Sequence, residues 1–303
     1  MMTRRIGICA LQLRLAALGN NWETVAGNIE LALNRFPWTR MIVLSELAVC
    51  GVLPANAEPL PGPTENAFAE LARRYGVWIV TGSLFERCAD AIYNTSSVIN
   101  PAGEVVCRYR KMFPFLPFEE GVTPGEQFVV FDVPEIGRFG CTICYDIWFP
   151  EVCRTLAAMG AEVILRPTLT DTIDRDMELT IVEAMAAINQ AYIVDVNGVE
   201  GGGNGRSLIV DPEGLVLHQS GEGEELIPVE LDLNRSALVR RRGFKSLGQT
   251  LKSFRDRRVE FDLYKSRAHC AGYLASLGPL EKHGQRDKEV AAPAPEPVGE
   301  AVG

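Results

Sequence analysis

The stretch GCTICYDIWFPEV, residues 140–152, places Cys144 between an apolar run and a Pro-Glu helix start. A thiol that leaves a strand just ahead of a helix N-terminus faces oriented backbone N–H groups and the positive end of the helix dipole. Both favour a thiolate and a neighbouring oxyanion. Such a nucleophile needs a base. Papain-like chemistry would supply histidine, but His218, His269 and His283 all fall in the last third of the chain, in turn-like or tail-like surroundings. A carboxylate is therefore the candidate base. Glu46 ends the apolar run MIVLS, and Lys111 ends VVCRYR. Strand ends on one edge of a sheet converge in space, so thiol, carboxylate and fixed cation could share one site. Those three groups suffice for acyl transfer.

Other readings of the same residues compete. Cys141 and Cys144 form a Cys-x-x-C pair, the spacing of thioredoxin-like redox sites, although here the pair straddles a strand end rather than opening a helix. Structural zinc would need a second Cys-x-x-C or a histidine pair. Burial as inert sulfur is the commonest fate of a cysteine, and a solvated strand end is the plain reading of Glu46 or Lys111 taken singly. The glycine cluster GGGNG, residues 201–205, lacks the Lys-Ser/Thr of a phosphate loop and joins strand-like segments, so it reads as a tight turn.

The elements that must position these groups alternate. RIGICALQLRL reads as a strand, NWETVAGNIELALNRF as an amphipathic helix, and RMIVLSELAVCG as an apolar run. TENAFAELARRYG is a helix closed by Gly76, followed by VWIVTGSLFE as one strand. The turn PAG joins YNTSSVIN to EVVCRYRK as a hairpin, and EQFVVFDV with GRFGCTIC forms a further strand pair leading to Cys144. PEVCRTLAAMGAEVILRP is a helix with Pro150 in its first turn and Gly160 at its end, then a strand. DMELTIVEAMAAINQA is a helix, YIVDVNGVE a strand, and RSLIVDPEGLVLHQS a hairpin turning at DPEG. Strands interleaved with helices and hairpins predict an α/β layered fold with a mixed sheet.

Composition bounds the partners. The chain has 303 residues, 47% apolar and 23% charged, enough for a large core. A formal net charge of −9 argues against nucleic acid or an anionic membrane as partner. The basic stretch Arg240, Arg241, Arg242, Lys245, Lys252, Arg255, Arg257 and Arg258 carries no groove-reading motif and reads as a solvated or interface-pairing face. The first residues have the outline of a signal peptide, but Gln12 and Arg14 interrupt the apolar run, and no run approaches the ~18 residues of a membrane span. Eight cysteines, sparse and mostly in apolar runs, read as free thiols in a reducing compartment, hence a cytoplasmic protein. HGQRDKEVAAPAPEPVGEAVG, residues 283–303, is expected to be a disordered tail.

Taken together, these motifs resemble the nitrilase, or carbon-nitrogen hydrolase, superfamily. LSELAVCG is similar to its glutamate segment, YRKMFPF to its lysine segment and GCTICYDIWFPEVCRTLAAMGAEVIL to its cysteine elbow, in the family's order, over about residues 4–245. The resemblance implies a four-layer α-β-β-α sandwich with two central mixed sheets, a single domain over 1–282, and homo-oligomers formed through helix faces beside the site. Residues 246–282 would be an extension toward a neighbouring protomer. It implies that Cys144 attacks a carbonyl carbon, Glu46 serves as base and acid, and Lys111 with the Tyr145 N–H binds the oxyanion. A further glutamate is implied beyond the lysine. Glu119 and Glu120 stand eight and nine residues beyond Lys111, and the aliphatic amidase spacing of eight favours Glu119. Neither metal nor organic cofactor is needed for that chemistry.

The branches pull apart. CYDIWFPE resembles the CYDIRFPE of omega-amidase-like members, with Trp148 in place of arginine, which weakens the case for a substrate bearing a free carboxylate. Arg166, 22 residues after Cys144, resembles aliphatic amidases, and either shapes the pocket or pairs with a carboxylate such as Glu151. Trp148 and Phe115 are candidate pocket-lining aromatics. Tyr145-Asp146 replaces the Trp-Glu of true nitrilases. The expectation is hydrolysis of a small, uncharged primary amide through a thioester. Hydrolysis of an N-carbamoyl amine, or a non-catalytic or redox thiol protein on the same fold, are the alternatives.

Overall fold

The computed structural model describes residues 4–116, 118–265 and 271–280; the expected tail, 283–303, lies outside them. They divide into two units, 4–115 with 121–260, and 116–120 with the residues from 261 onward. The second unit holds a short 3-10 turn, Asp262–Tyr264, and a short helix, Ala271–Ser276.

In the first unit, the first half runs through β1 (Arg5–Gln12), α1 (Trp22–Arg35), β2 (Met41–Leu44), α2 (Pro63–Tyr75), β3 (Trp78–Val80), β4 (Leu84–Cys88), β5 (Ala91–Ile99) and β6 (Val105–Arg110). Its second half runs through β7 (Val130–Val133), β8 (Gly137–Cys141), α3 (Pro150–Ala158), β9 (Val163–Thr168), α4 (Arg175–Asn189) and β10 (Tyr192–Asn197). The small hairpin β11 (Val199–Glu200) and β12 (Gly203–Asn204) follows, then β13 (Leu208–Val210), β14 (Val216–Gln219), β15 (Glu225–Asp232), α5 (Leu233–Arg242) and α6 (Thr250–Arg255). GGGNG is thus the turn of a hairpin.

Two mixed sheets result. The first has the order β15-β1-β2-β3-β5-β4 with β6 paired to β5, and the second β14-β13-β10-β9-β8-β7. In each, a parallel centre is flanked by antiparallel strands: β1, β2 and β3 in one, β8, β9 and β10 in the other. Strand alternation divides the core into layers. Ile8, Val43 and Val80 of the first sheet meet Phe139, Leu165 and Val194 of the second. The opposite faces are covered by helices: Ile42 and Ile79 pack with Val25, Ile29 and Phe68 of α1 and α2, and Ile164 and Ile193 with Leu156, Leu179 and Val182 of α3 and α4. The architecture is therefore the four-layer α-β-β-α sandwich. Each such buried side chain contributes about 1.5–3 kcal/mol.

α2 and α3 begin and end where the sequence signals lie. Pro63 and Pro150 occupy first turns, where no N–H is needed, and Gly76 and Gly160 follow the last turns in left-handed conformations. One expectation fails. VWIVTGSLFE is two strands, β3 and β4, broken at Gly82, whose φ is +71° and whose missing Cβ would fall 1.9 Å from the Ser45 carbonyl oxygen. Only glycine lets the chain turn there against the segment that carries Glu46.

Candidate active site

Glu46 follows β2 by two residues, Lys111 directly follows β6, and Cys144 follows β8 by three. The end of β9 gathers two of them. The Glu46 backbone N–H donates to the Thr168 carbonyl at 3.2 Å, and the Cys144 thiol approaches the Leu169 carbonyl at 3.8 Å. Lys111 Nζ donates to Glu46 Oε1 at 2.9 Å, and Asn94 Nδ2 donates to the same oxygen at 2.8 Å. Glu46 and Lys111 are 3% and 2% exposed, so this is a buried ion pair placed on the carboxylate by two strands of the first sheet.

Alternation along β6 explains how Lys111 reaches inward. Tyr109 and Lys111 face the sheet interface, while Arg108 and Arg110 face outward and pair bidentately with Glu65 and Glu86. Tyr109 then ties the lysine strand to the cysteine turn, because its hydroxyl donates to Asp146 Oδ2 at 2.6 Å. Asp146 also accepts from Ile143 N and Phe113 N, both at 2.9 Å. Burial pushes the Asp146 carboxyl up, and these donors act against the rise.

Cys144 opens a single 3-10 turn, Cys144–Trp148, with φ of +44°, a left-handed conformation that a side chain adopts only at a cost. Burial pushes its thiol well above the usual range, and Glu46 adds to this, while Lys111 and Arg166 oppose it. The direction of this shift favours the neutral thiol, which as a nucleophile would need a base. The ring of Tyr145, within this turn, sits 4.8 Å from Phe115 and 6.4 Å from Trp148. Leu47 and Leu169, neighbours of the glutamate and of the thiol's carbonyl contact, belong to a small apolar cluster with Phe85 and Val122.

Arg166 lies elsewhere than expected. It is 0% exposed, and each of its three guanidinium nitrogens is engaged by protein: Nε and Nη2 on the Cys144 carbonyl at 3.0 and 2.7 Å, Nη1 on Asp195 at 2.5 Å, and Nη2 also on Glu178. Its carboxylate partners are thus Asp195 and Glu178 rather than Glu151, and its remaining bonds go to the Cys144 carbonyl. Glu119 and Glu120 lie in the second unit. Asn94, Asp146, Asp195 and Glu178 were not singled out from the sequence. The signal for Asp195 was a carboxylate in the middle of the apolar run YIVDV. Among the described residues no group of histidines, cysteines and carboxylates is arranged to hold a metal ion, and no helix is long and apolar enough to cross a membrane.

The comparison with known proteins matches this geometry to a family. The carbon-nitrogen hydrolase family model matches residues 5–241. The chain belongs to the carbon-nitrogen hydrolase family. It is 29% identical over 240 residues to omega-amidase NIT3 of Saccharomyces cerevisiae, covering 70% of this chain and 81% of that protein. It is also 29% identical over 226 residues to human omega-amidase NIT2, covering 70% and 78%. The crystal structure of yeast Nit3, a member of branch 10 of the nitrilase superfamily, superposes with a TM-score of 0.73 at 28% identity, covering 78% of this chain and 94% of that one. The sandwich is thus the nitrilase fold, and the protein is an amidase-type carbon-nitrogen hydrolase.

Proposed function

We propose that this hydrolase cleaves a small, uncharged primary amide to carboxylic acid and ammonia, with Cys144 as nucleophile. The observation that carries the reading is the buried Lys111–Glu46 pair at the strand end where the Cys144 thiol also lies. Cys144 Sγ attacks the carbonyl carbon while its proton passes to Glu46, and Lys111 with the Tyr145 N–H receives the developing oxyanion. Collapse of the tetrahedral adduct returns that proton to the leaving nitrogen, and ammonia departs from a Cys144 thioester. Water deprotonated by Glu46 then attacks the thioester, and the acid leaves as Sγ regains its proton. Glu119, chosen by its spacing from Lys111, is proposed as the family's further glutamate, which Glu119→Gln tests through kcat.

An uncharged acyl group is supported by the state of Arg166: the side chain is fully buried and each of its guanidinium nitrogens is already bonded to protein. Trp148 stands where an arginine would be expected for such a substrate. The similarity to two omega-amidases favours a second reading, an omega-amide with a free carboxylate. Ammonia release from a panel of neutral amides, omega-amides and N-carbamoyl amines separates these. The highest kcat/KM on a neutral amide is expected, preference for an omega-amide would reverse the choice, and carbon dioxide released with ammonia would point to a carbamoyl substrate. The enzyme is further proposed to be cytoplasmic and homo-oligomeric, with residues 246–282 at a protomer contact. Sedimentation of a chain ending at Gly243 tests that contact, and unchanged assembly would remove it.

A further inference from the structure

Behind Cys144 lies a closed square of charges. Arg166 pairs with Asp195 and Glu178, and Arg175 pairs with the remaining oxygens of the same two carboxylates, Glu178 Oε2 at 2.5 Å and Asp195 Oδ2 at 2.7 Å. Thr168 Oγ1 adds a bond to Asp195 Oδ1 at 2.6 Å, and Arg175 also donates to the Arg206 carbonyl at 2.8 Å. The four side chains come from β9, from α4 and from β10, and all are at least nine-tenths buried. Burial alone would raise the Asp195 carboxyl, but Arg166 and Arg175 hold it below the usual carboxylate range.

A buried ionic network is weak as a source of stability, because desolvation offsets much of the Coulombic gain. This one has an outlet. Arg166 turns two nitrogens out of the square onto one backbone oxygen, the Cys144 carbonyl. That carbonyl belongs to a residue with φ of +44°, and its direction sets where Cα and Cβ, and hence Sγ, can lie. The square immobilises the guanidinium, and the guanidinium immobilises the carbonyl.

We infer that Arg166 is a positioning residue for the nucleophile, its fork clamping the Cys144 carbonyl so that the left-handed turn persists and Sγ keeps its direction of attack. This rests on the reading of Cys144 as nucleophile. The role differs from substrate binding, since Arg166 reaches substrate only through the cysteine it holds. Lysine keeps the charge but offers a single point donor in place of the fork, so Arg166→Lys should recover part of what Arg166→Gln loses.

The test uses the full chain as wild type, Arg166→Gln, Arg166→Lys and a stability control in the opposite layer, Ile29→Ala. Each is measured for thermal unfolding, for kcat and KM on the best amide, and for the rate of iodoacetamide addition to Cys144 followed by peptide mass. Misplacing a reacting group by about 1 Å costs on the order of 100-fold. Arg166→Gln is therefore expected to lose about that factor in kcat with KM changed less than about threefold, and to alkylate more slowly. Arg166→Lys should lie between it and wild type, while Ile29→Ala loses stability but keeps both rates. Folded Arg166 variants with wild-type kcat and alkylation would overturn the clamp, as would equal losses in Ile29→Ala. Failure of both Arg166 variants to fold would make the residue structural and would also overturn it. If wild type turns over no amide, the hydrolase reading fails by itself, and the alkylation rates still decide the clamp.

Discussion

The three residues proposed to carry the chemistry, Glu46, Lys111 and Cys144, are each held by neighbouring groups. Glu46 receives both Lys111 and Asn94 on the same oxygen, so Asn94 shares with the lysine the fixing of the proposed base. Asn94→Ala should therefore lower kcat about tenfold, roughly the value of a hydrogen bond to a charged group, with little change in KM. Wild-type kcat would contradict this. Because burial raises the Cys144 thiol, less of it is ionised at neutral pH than of an ordinary cysteine. Its alkylation rate should keep climbing through the ordinary thiol range, near pH 8.5, whereas a plateau at neutral pH would indicate a standing thiolate. Cys144, Glu46 and Lys111 were legible because each interrupts or ends an apolar run. Asn94 was not, since its partner lies 48 residues away and nothing near it in the chain distinguishes it from other strand polar residues.

Among the elements, boundaries depended on backbone geometry that composition does not display. Gly82 reads as a strand glycine but is the bend that separates β3 from β4 and passes under Ser45. Gly82→Ala would set a Cβ against that carbonyl in a left-handed backbone, costing at least about 1–2 kcal/mol, and would push the Glu46 segment. Reduced kcat together with a lower unfolding midpoint is the expected result; unchanged activity would show that the segment yields elsewhere. β15 escaped the sequence reading because Pro228 interrupts ELIPVELD. The strand is on the sheet edge, opposite β1, where a missing N–H is tolerated. α2 and α3 were legible at both ends because Pro63 and Pro150 open them and Gly76 and Gly160 follow them.

At the scale of the molecule, alternation of strands and helices implied layers, but two sheets rather than one followed only from the family resemblance. The network that joins β9, β10 and α4 across the second sheet makes pH a probe of that arrangement. Asp195 has a folded-state carboxyl below its unfolded range, so its stabilisation is present above that range and is lost as pH falls through the folded value. Asp195→Asn should thus cost about 3–5 kcal/mol at neutral pH, with the gap to wild type narrowing only below about pH 4. A constant gap in urea unfolding at both pH values would place the effect outside ionisation. The event proposed for this assembly of layers is thiol attack on an amide. The direct test is ammonia release from the best amide by wild type and by Cys144→Ala, each confirmed as folded. A loss of at least about a thousandfold is expected, as for removal of a nucleophile, and a residual rate within about tenfold of wild type would contradict the proposed role of Cys144.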